Sequence, residues 1–68
     1  MDITQVRYAV TVAKCGSLSK AAEALYLSQP ALSQRIKHLE TELGYSLFCR
    51  SPQGFSLTPA GKQFCANA

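Results

Sequence analysis

The sequence is short of the groups that enzymes use. His38 is the only histidine, and aspartate and glutamate together number four in 68 residues. Neither a nucleophile paired with a base nor a pair of carboxylates can be assembled, and no glycine-rich phosphate loop is present. This argues against an enzyme, and nothing calls for a cofactor. Cys15, Cys49 and Cys65 are an odd number and lie too far apart for a CxxC-type metal site. They read as small, partly buried apolar side chains in a reducing compartment, with neither metal nor disulfide between them. No apolar run approaches the roughly 18 residues that a membrane helix needs, and no charged-then-apolar leader opens the chain. The expectation is a soluble, intracellular protein with no membrane partner. Internal repeats, linkers and low-complexity stretches are also missing. Charge is scarce too: 16% of residues carry it, for a net of +3. A surplus this small suits a polyanion only if the cations gather on one face.

What remains is an ordinary globular composition, 47% hydrophobic. A domain of this size buries only about 60% of its unfolded surface, so one small domain is expected. Its helices announce themselves by their caps. Asp2, with Gln5 three residues on, makes a capping-box start. Ile3, Val6, Val10 and Ala13 then recur at helical spacing, and Gly16 is a natural stop. Ser17 caps a second helix at once, with Leu18, Ala21, Ala22 and Leu25 as its apolar stripe; the paired alanines allow a neighbouring helix to come close. Tyr26 and Leu27 form a short link. Ser28 caps a third helix over residues 29–43, with Pro30 in the first turn, where its missing N–H costs nothing. Leu32, Ile36, Leu39 and Leu43 line its inner face, and Gly44 ends it.

Beyond Gly44 the pattern changes. Leu47-Phe48-Cys49-Arg50 and Phe55-Ser56-Leu57 are strand-like runs, and Ser51-Pro52-Gln53-Gly54 between them reads as a hairpin turn. Thr58-Pro59 repeats the cap-plus-proline signal and opens a fourth helix. That helix meets no stop signal before Ala68, which reads as a chain that continues. The expected fold is mainly α: a three-helix core over residues 1–58 with a two-stranded wing, then the start of a linker helix over 59–68.

A short helix, a tight link and a second capped helix make a helix-turn-helix. The outer face of the third helix carries Pro30, Ser33, Gln34, Lys37 and Thr41, with no carboxylate before Glu40. A helix fits the major groove of DNA only if it is braced from behind and presents donors, acceptors and cations outward. The end at Ser28 adds free backbone N–H groups and a positive dipole end suited to a phosphate. Such helix pairs also occur in proteins that never touch DNA. The hairpin downstream, with Arg50 at its base, strengthens the DNA reading.

These residues also resemble a family. Gly16-Ser17-Leu18, Ala21-Ala22, Leu25, Ser28-Gln29-Pro30-Ala31-Leu32-Ser33, Ile36, Leu39-Glu40, Leu43-Gly44, Leu47-Phe48, Arg50 and Leu57-Thr58-Pro59-Ala60-Gly61 are similar to the N-terminal domain of LysR-type transcriptional regulators. The resemblance covers nearly the whole chain. It implies a winged helix-turn-helix that binds double-stranded DNA, followed in the full-length protein by a dimerising linker helix and a domain that senses a small-molecule effector. It implies base reading by Gln29, Pro30, Ser33 and Gln34, and contacts to the DNA backbone by Ser28, Lys37, Arg50 and Thr58; Arg35 joins the backbone contacts from its own position, near the core edge with its head in reach of a phosphate. Two departures bear on specificity. Many members have arginine after the serine, where this chain has Gln34 and then Arg35, so base preference there differs. The wing tip, Ser51-Pro52-Gln53-Gly54-Phe55, lacks the arginine often found there, which weakens its pull on the minor groove.

Each of these residues has a plainer reading. Gln34 could simply face water, and Ser33 could bond back to its own helix. The stem of Arg35 could cover Leu32 and Leu39 while its head reaches a phosphate or Glu42. Ser17 and Thr58 are caps first. Tyr26 is expected to pack half-buried over the helix link, and Phe48, Phe55 and Phe64 in the core and wing. Two rival functions stay open. One is a winged helix used for protein–protein contact; the other is the DNA-binding head of a related regulator with a different sensor, such as the molybdate-responsive type.

Overall fold

The computed structural model describes residues 2–51 and 54–68, and at residues 50, 51, 54 and 55 the backbone only. Its elements run α1 (Ile3–Cys15), α2 (Leu18–Leu25), α3 (Gln29–Leu43), β1 (Phe48–Ser51), β2 (Gly54–Leu57) and α4 (Pro59–Asn67). The local chemistry of each start is visible. At α1 the Asp2 carboxylate accepts from the Gln5 N–H at 2.9 Å, and the Gln5 side chain accepts from the Asp2 N–H at 3.1 Å, so two orphan donors are satisfied reciprocally. The hydroxyls of Ser17, Ser28 and Thr58 each accept from the backbone N–H three residues on. Gly16 and Gly44 close α1 and α3 at φ 66° and 81°, a left-handed geometry that glycine adopts without a side-chain penalty.

The core lies where the three helices meet. Ala9, Val12, Leu18, Ala21, Ala22, Leu32, Ile36, Leu39 and Leu47 are buried, and Tyr8, Cys15, Leu25, Leu27, Leu43, Phe48 and Phe64 pack around them. The stripes expected on α2 and α3 therefore face inward, and the two alanines of α2 sit in this core. The stripe expected on α1 does not hold. Ile3 is 79% exposed, whereas Ala9 and Val12 are fully buried. The face through Val6, Val10 and Ala13 is only half-buried. Helix α1 thus carries two apolar sides: Ala9 and Val12 are buried in the core with Tyr8 packed against it, while the side through Ile3, Val6 and Val10 stays more exposed.

The hairpin is antiparallel, pairing Phe48 with Leu57, Cys49 with Ser56, Arg50 with Phe55 and Ser51 with Gly54. Its pairing is shifted from the expected runs: Leu47 drops out at the base, while Ser51 and Gly54 join at the far end. Leu47 instead turns its side chain into the core, with its N–H bonded by the Glu40 carboxylate at 2.7 Å. The expected turn residues Pro52 and Gln53, and the side chain of Phe55, lie outside the described residues. Three helices with a hairpin and a fourth helix leaving its base constitute a winged helix-turn-helix. No helix among the described residues is long and apolar enough to cross a membrane.

Candidate nucleic-acid interface

Helices α2 and α3 are joined by two residues and a cap. The C-cap of α2 is Tyr26, at φ 58° and ψ 40°, a left-handed conformation uncommon for a non-glycine residue. Its N–H returns to Glu23 O at 3.2 Å, and the N–H of Leu27 returns to Ala22 O at 2.9 Å. This turn points the Tyr26 ring out of the protein, 96% exposed, so the expected half-buried packing is corrected: left-handed backbone, not ring burial, makes the link.

The turn aims α3 outward. Gln29, Pro30, Gln34, Lys37 and Thr41 are exposed, while Leu32, Ile36 and Leu39 on the opposite side are buried. Pro30, Gln34, Lys37 and Thr41 follow spacings of four, three and four, which aligns them along one face. Ser33 is half-buried beside them. Thr41 gives its hydroxyl proton to Lys37 O at 3.0 Å, so it turns an acceptor oxygen and a methyl outward. Ser28, exposed at the head of α3, accepts from the Ala31 N–H at 3.2 Å and keeps its own proton for an outside acceptor.

The two acids of α3 are both diverted from this face. Glu40 turns to the base of the wing, where Oε2 accepts from the N–H groups of Leu47 and Phe48 at 2.7 and 3.2 Å. Glu42 lies 3.4 Å from His38 Nε2. Arg35 is exposed beside Gln34 and lines a shallow depression with it, Asp2, Gln5 and His38. The face aimed outward is thus polar and free of carboxylate from Pro30 to Lys37, which suits a surface that meets phosphates; Glu40 lines a depression beside Lys37 and Thr41, its carboxylate held by the two wing amides.

Of the residues implicated by sequence, the structure brings Ser28, Gln29, Pro30, Ser33, Gln34 and Lys37 onto one helix with its N-terminus free. Thr58 stands apart, its hydroxyl donating to Ser46 O at 2.7 Å and accepting from the Gly61 N–H at 2.9 Å. Arg50 is in β1, one pair short of the far end of the hairpin and not at its base as expected, and its side chain lies outside the described residues. Sequence reasoning missed Glu40. Its only signal was an acid at the end of a helix otherwise clear of acid on its outer face.

The cysteines lie apart from this face. Cys15 and Cys65 are half-buried, as expected, but Cys49 is exposed on the wing. Burial pushes the Cys65 thiol up from its ordinary value.

A family model described as "Bacterial regulatory helix-turn-helix protein, lysR family" matches residues 3–62. An HTH-type transcriptional regulator of Bacillus subtilis, YcgK, is 50% identical over the whole chain, which covers 21% of that protein. The regulator BudR of Klebsiella aerogenes is 47% identical over the whole chain, which covers 48% of it. The chain therefore spans about a fifth to a half of the length of these relatives. Among solved structures, the DNA-binding domain of BenM bound to catB site 1 DNA superposes with a TM-score of 0.93 at 39% identity, covering 98% of this chain and 74% of that one. Family model, relatives and fold agree: the chain belongs to the lysR family of bacterial regulatory helix-turn-helix proteins.

Proposed function

We propose that the chain is a sequence-specific double-stranded DNA-binding domain at the head of a bacterial transcription regulator, with α3 lying in the major groove. The observation that carries this reading is the outer face of α3: exposed amide, hydroxyl and ammonium groups, with both acids of the helix turned elsewhere. Helices α1 and α2 brace it from behind through the core. The fold shared with a DNA-bound domain supports DNA binding by this chain.

In this reading Gln29, Pro30, Ser33 and Gln34 meet base edges, and the Gln34 amide pairs with an adenine through two hydrogen bonds. Ser28, Lys37, Arg35 and Arg50 hold phosphates. Thr58 serves the protein rather than the DNA, since its hydroxyl proton is given to a carbonyl inside. Residues 1–58 form the binding unit, and α4 begins a linker helix through which the full-length protein forms a homodimer or higher homo-oligomer. The groove lined by Val6, Tyr45, Ala60 and Phe64 between α1 and α4 leaves apolar surface open and supports that assembly. A small-molecule effector acts on a separate sensing domain, and the protein works in the bacterial cytoplasm at the nucleoid.

The test begins by selecting duplexes from a random pool with the chain, then titrating selected and scrambled duplexes over a range of salt. Gln34→Ala should cost about 1–3 kcal/mol on the selected site and little on scrambled DNA. Arg50→Ala should weaken both alike and flatten the log-affinity against log-salt slope by about 0.9. A chain that selects no sequence, or whose affinity ignores salt, would refute the proposal and favour a protein-contact role.

A further inference from the structure

Glu40 sits awkwardly on α3 by every local criterion. Its carboxylate lies one turn from the C-terminus of the helix, where the macrodipole disfavours negative charge, and on a helix whose outer face is otherwise without acid. It is half-buried, so it also loses part of its hydration. Two donors offset these costs: the Leu47 and Phe48 N–H groups, both bound by the same oxygen. The backbone carbonyl of Glu40 meanwhile accepts the Gly44 N–H at 2.9 Å, so one residue closes α3 and reaches across to the start of β1.

The far side of the same peptide is held from α4. The Leu47 carbonyl accepts from the Thr58 N–H at 3.0 Å and from the Thr58 hydroxyl at 3.2 Å. Gly61 packs so closely on Leu47 that a Cβ there would stand 2.9 Å from its carbonyl carbon. Leu47 is thus gripped from α3 on its N–H side and from α4 on its C=O side, while its side chain anchors in the core. The hairpin leaves this point one residue later.

We propose that Glu40 is a positioning residue for DNA binding: by tying the Leu47 and Phe48 amides to the recognition helix, it sets where the wing, and with it Arg50, stands when α3 is in the groove. This rests on the DNA-binding reading above. Without the tie, the wing is attached through its core anchor and α4 but is no longer indexed to α3. Its phosphate contact is then lost, while base reading by Gln34 continues.

The experiment is a double-mutant cycle between Glu40→Ala and Arg50→Ala, read by titrating a short mixed-sequence duplex and the selected duplex over several salt concentrations. Glu40→Ala should weaken both duplexes by the same factor, reproduce the slope change of Arg50→Ala of about 0.9, and add nothing to it in the double variant. Glu40→Gln, which keeps an acceptor oxygen in place, should restore most of the lost affinity. The Leu47 and Phe48 amides should exchange faster in Glu40→Ala than in the parent. Should Glu40→Ala fail to fold, Glu40→Asp, still charged but one methylene too short to reach both amides, should show the same losses. Additive effects, a changed base preference, or unchanged binding despite released amides would each overturn the proposal. A parent chain that shows no salt-dependent binding overturns the DNA reading itself, which is a different outcome from a parent that binds and a Glu40 variant that binds equally well.

Discussion

Replacing Gly61 with alanine tests the joint at the base of the wing more sharply than any core truncation. In the folded chain a Cβ at position 61 would stand 2.9 Å from the Leu47 carbonyl carbon and 3.1 Å from its Cα. The obstacle is backbone, so no rotamer change relieves it. Either α4 moves away or Leu47 does, and both motions break the bonds from the Thr58 N–H and hydroxyl to the Leu47 carbonyl. Overpacking of this kind costs about 1–3 kcal/mol, and two hydrogen bonds add about 1 kcal/mol each. Against this, alanine in a helix gains at most about 1 kcal/mol over glycine. The balance is a loss of about 2–4 kcal/mol, large against the stability of so small a domain. At about 4–8 °C per kcal/mol for domains of this size, Tm should fall by about 10–30 °C, followed by helical circular dichroism. Gly16→Ala is the informative contrast: nothing lies within 4 Å of its Cβ, so any cost there comes from φ 66° alone. A Gly61→Ala chain that melts at or above the parent temperature would show that α4 is not seated on Leu47 as described.

Other outcomes follow from the same geometry. Tyr26→Gly should stabilise the chain by about 0.5–1 kcal/mol, because the left-handed backbone at φ 58° no longer carries a side chain; a denaturant midpoint that stays put would argue against strain at the link. Asp2→Ala removes one half of the capping box and should cost about 1 kcal/mol, read as earlier fraying of α1 by amide exchange. With its pKa raised by burial, the Cys65 thiol should be alkylated more slowly at mildly alkaline pH than Cys49, as mass spectrometry of partly labelled chain can show. The sign of the linked stability follows: a thiol that holds its proton more tightly when folded contributes at neutral pH, and that contribution fades as pH rises through its raised pKa.

Much of this fold is legible in the sequence because its punctuation is local. Asp2, Ser17, Ser28 and Thr58 each bond a backbone N–H three residues away, and Gly16 and Gly44 end helices by their own conformational freedom; such signals need no knowledge of the rest of the chain. The stripes of α2 and α3 were readable for the same reason, since each helix has one apolar side. On α1 that reasoning breaks down. Ile3, Val6 and Val10 lie on one side and Ala9 and Val12 on another, so apolar spacing along α1 alone does not choose the side that packing buries. Tyr26 misled because an aromatic side chain suggests burial, whereas its backbone does the work of a glycine. Glu40 was invisible for a third reason: its partners lie seven and eight residues on, and only the packed chain brings them within reach. The candidate site was legible as a helix face, while the device that ties that face to the wing was not.

Because the hairpin is fastened at Leu47 and paired from Phe48 with Leu57 outward to Ser51 with Gly54, its length is an adjustable dimension. Extra residues inserted between Ser51 and Gly54 would lengthen the ribbon or its loop without disturbing the residues that fasten it. Loop entropy charges little for this, about 0.6 kcal/mol for each doubling of a flexible loop. The reach of the hairpin could therefore be varied, by selection or by design, independently of the outer face of α3.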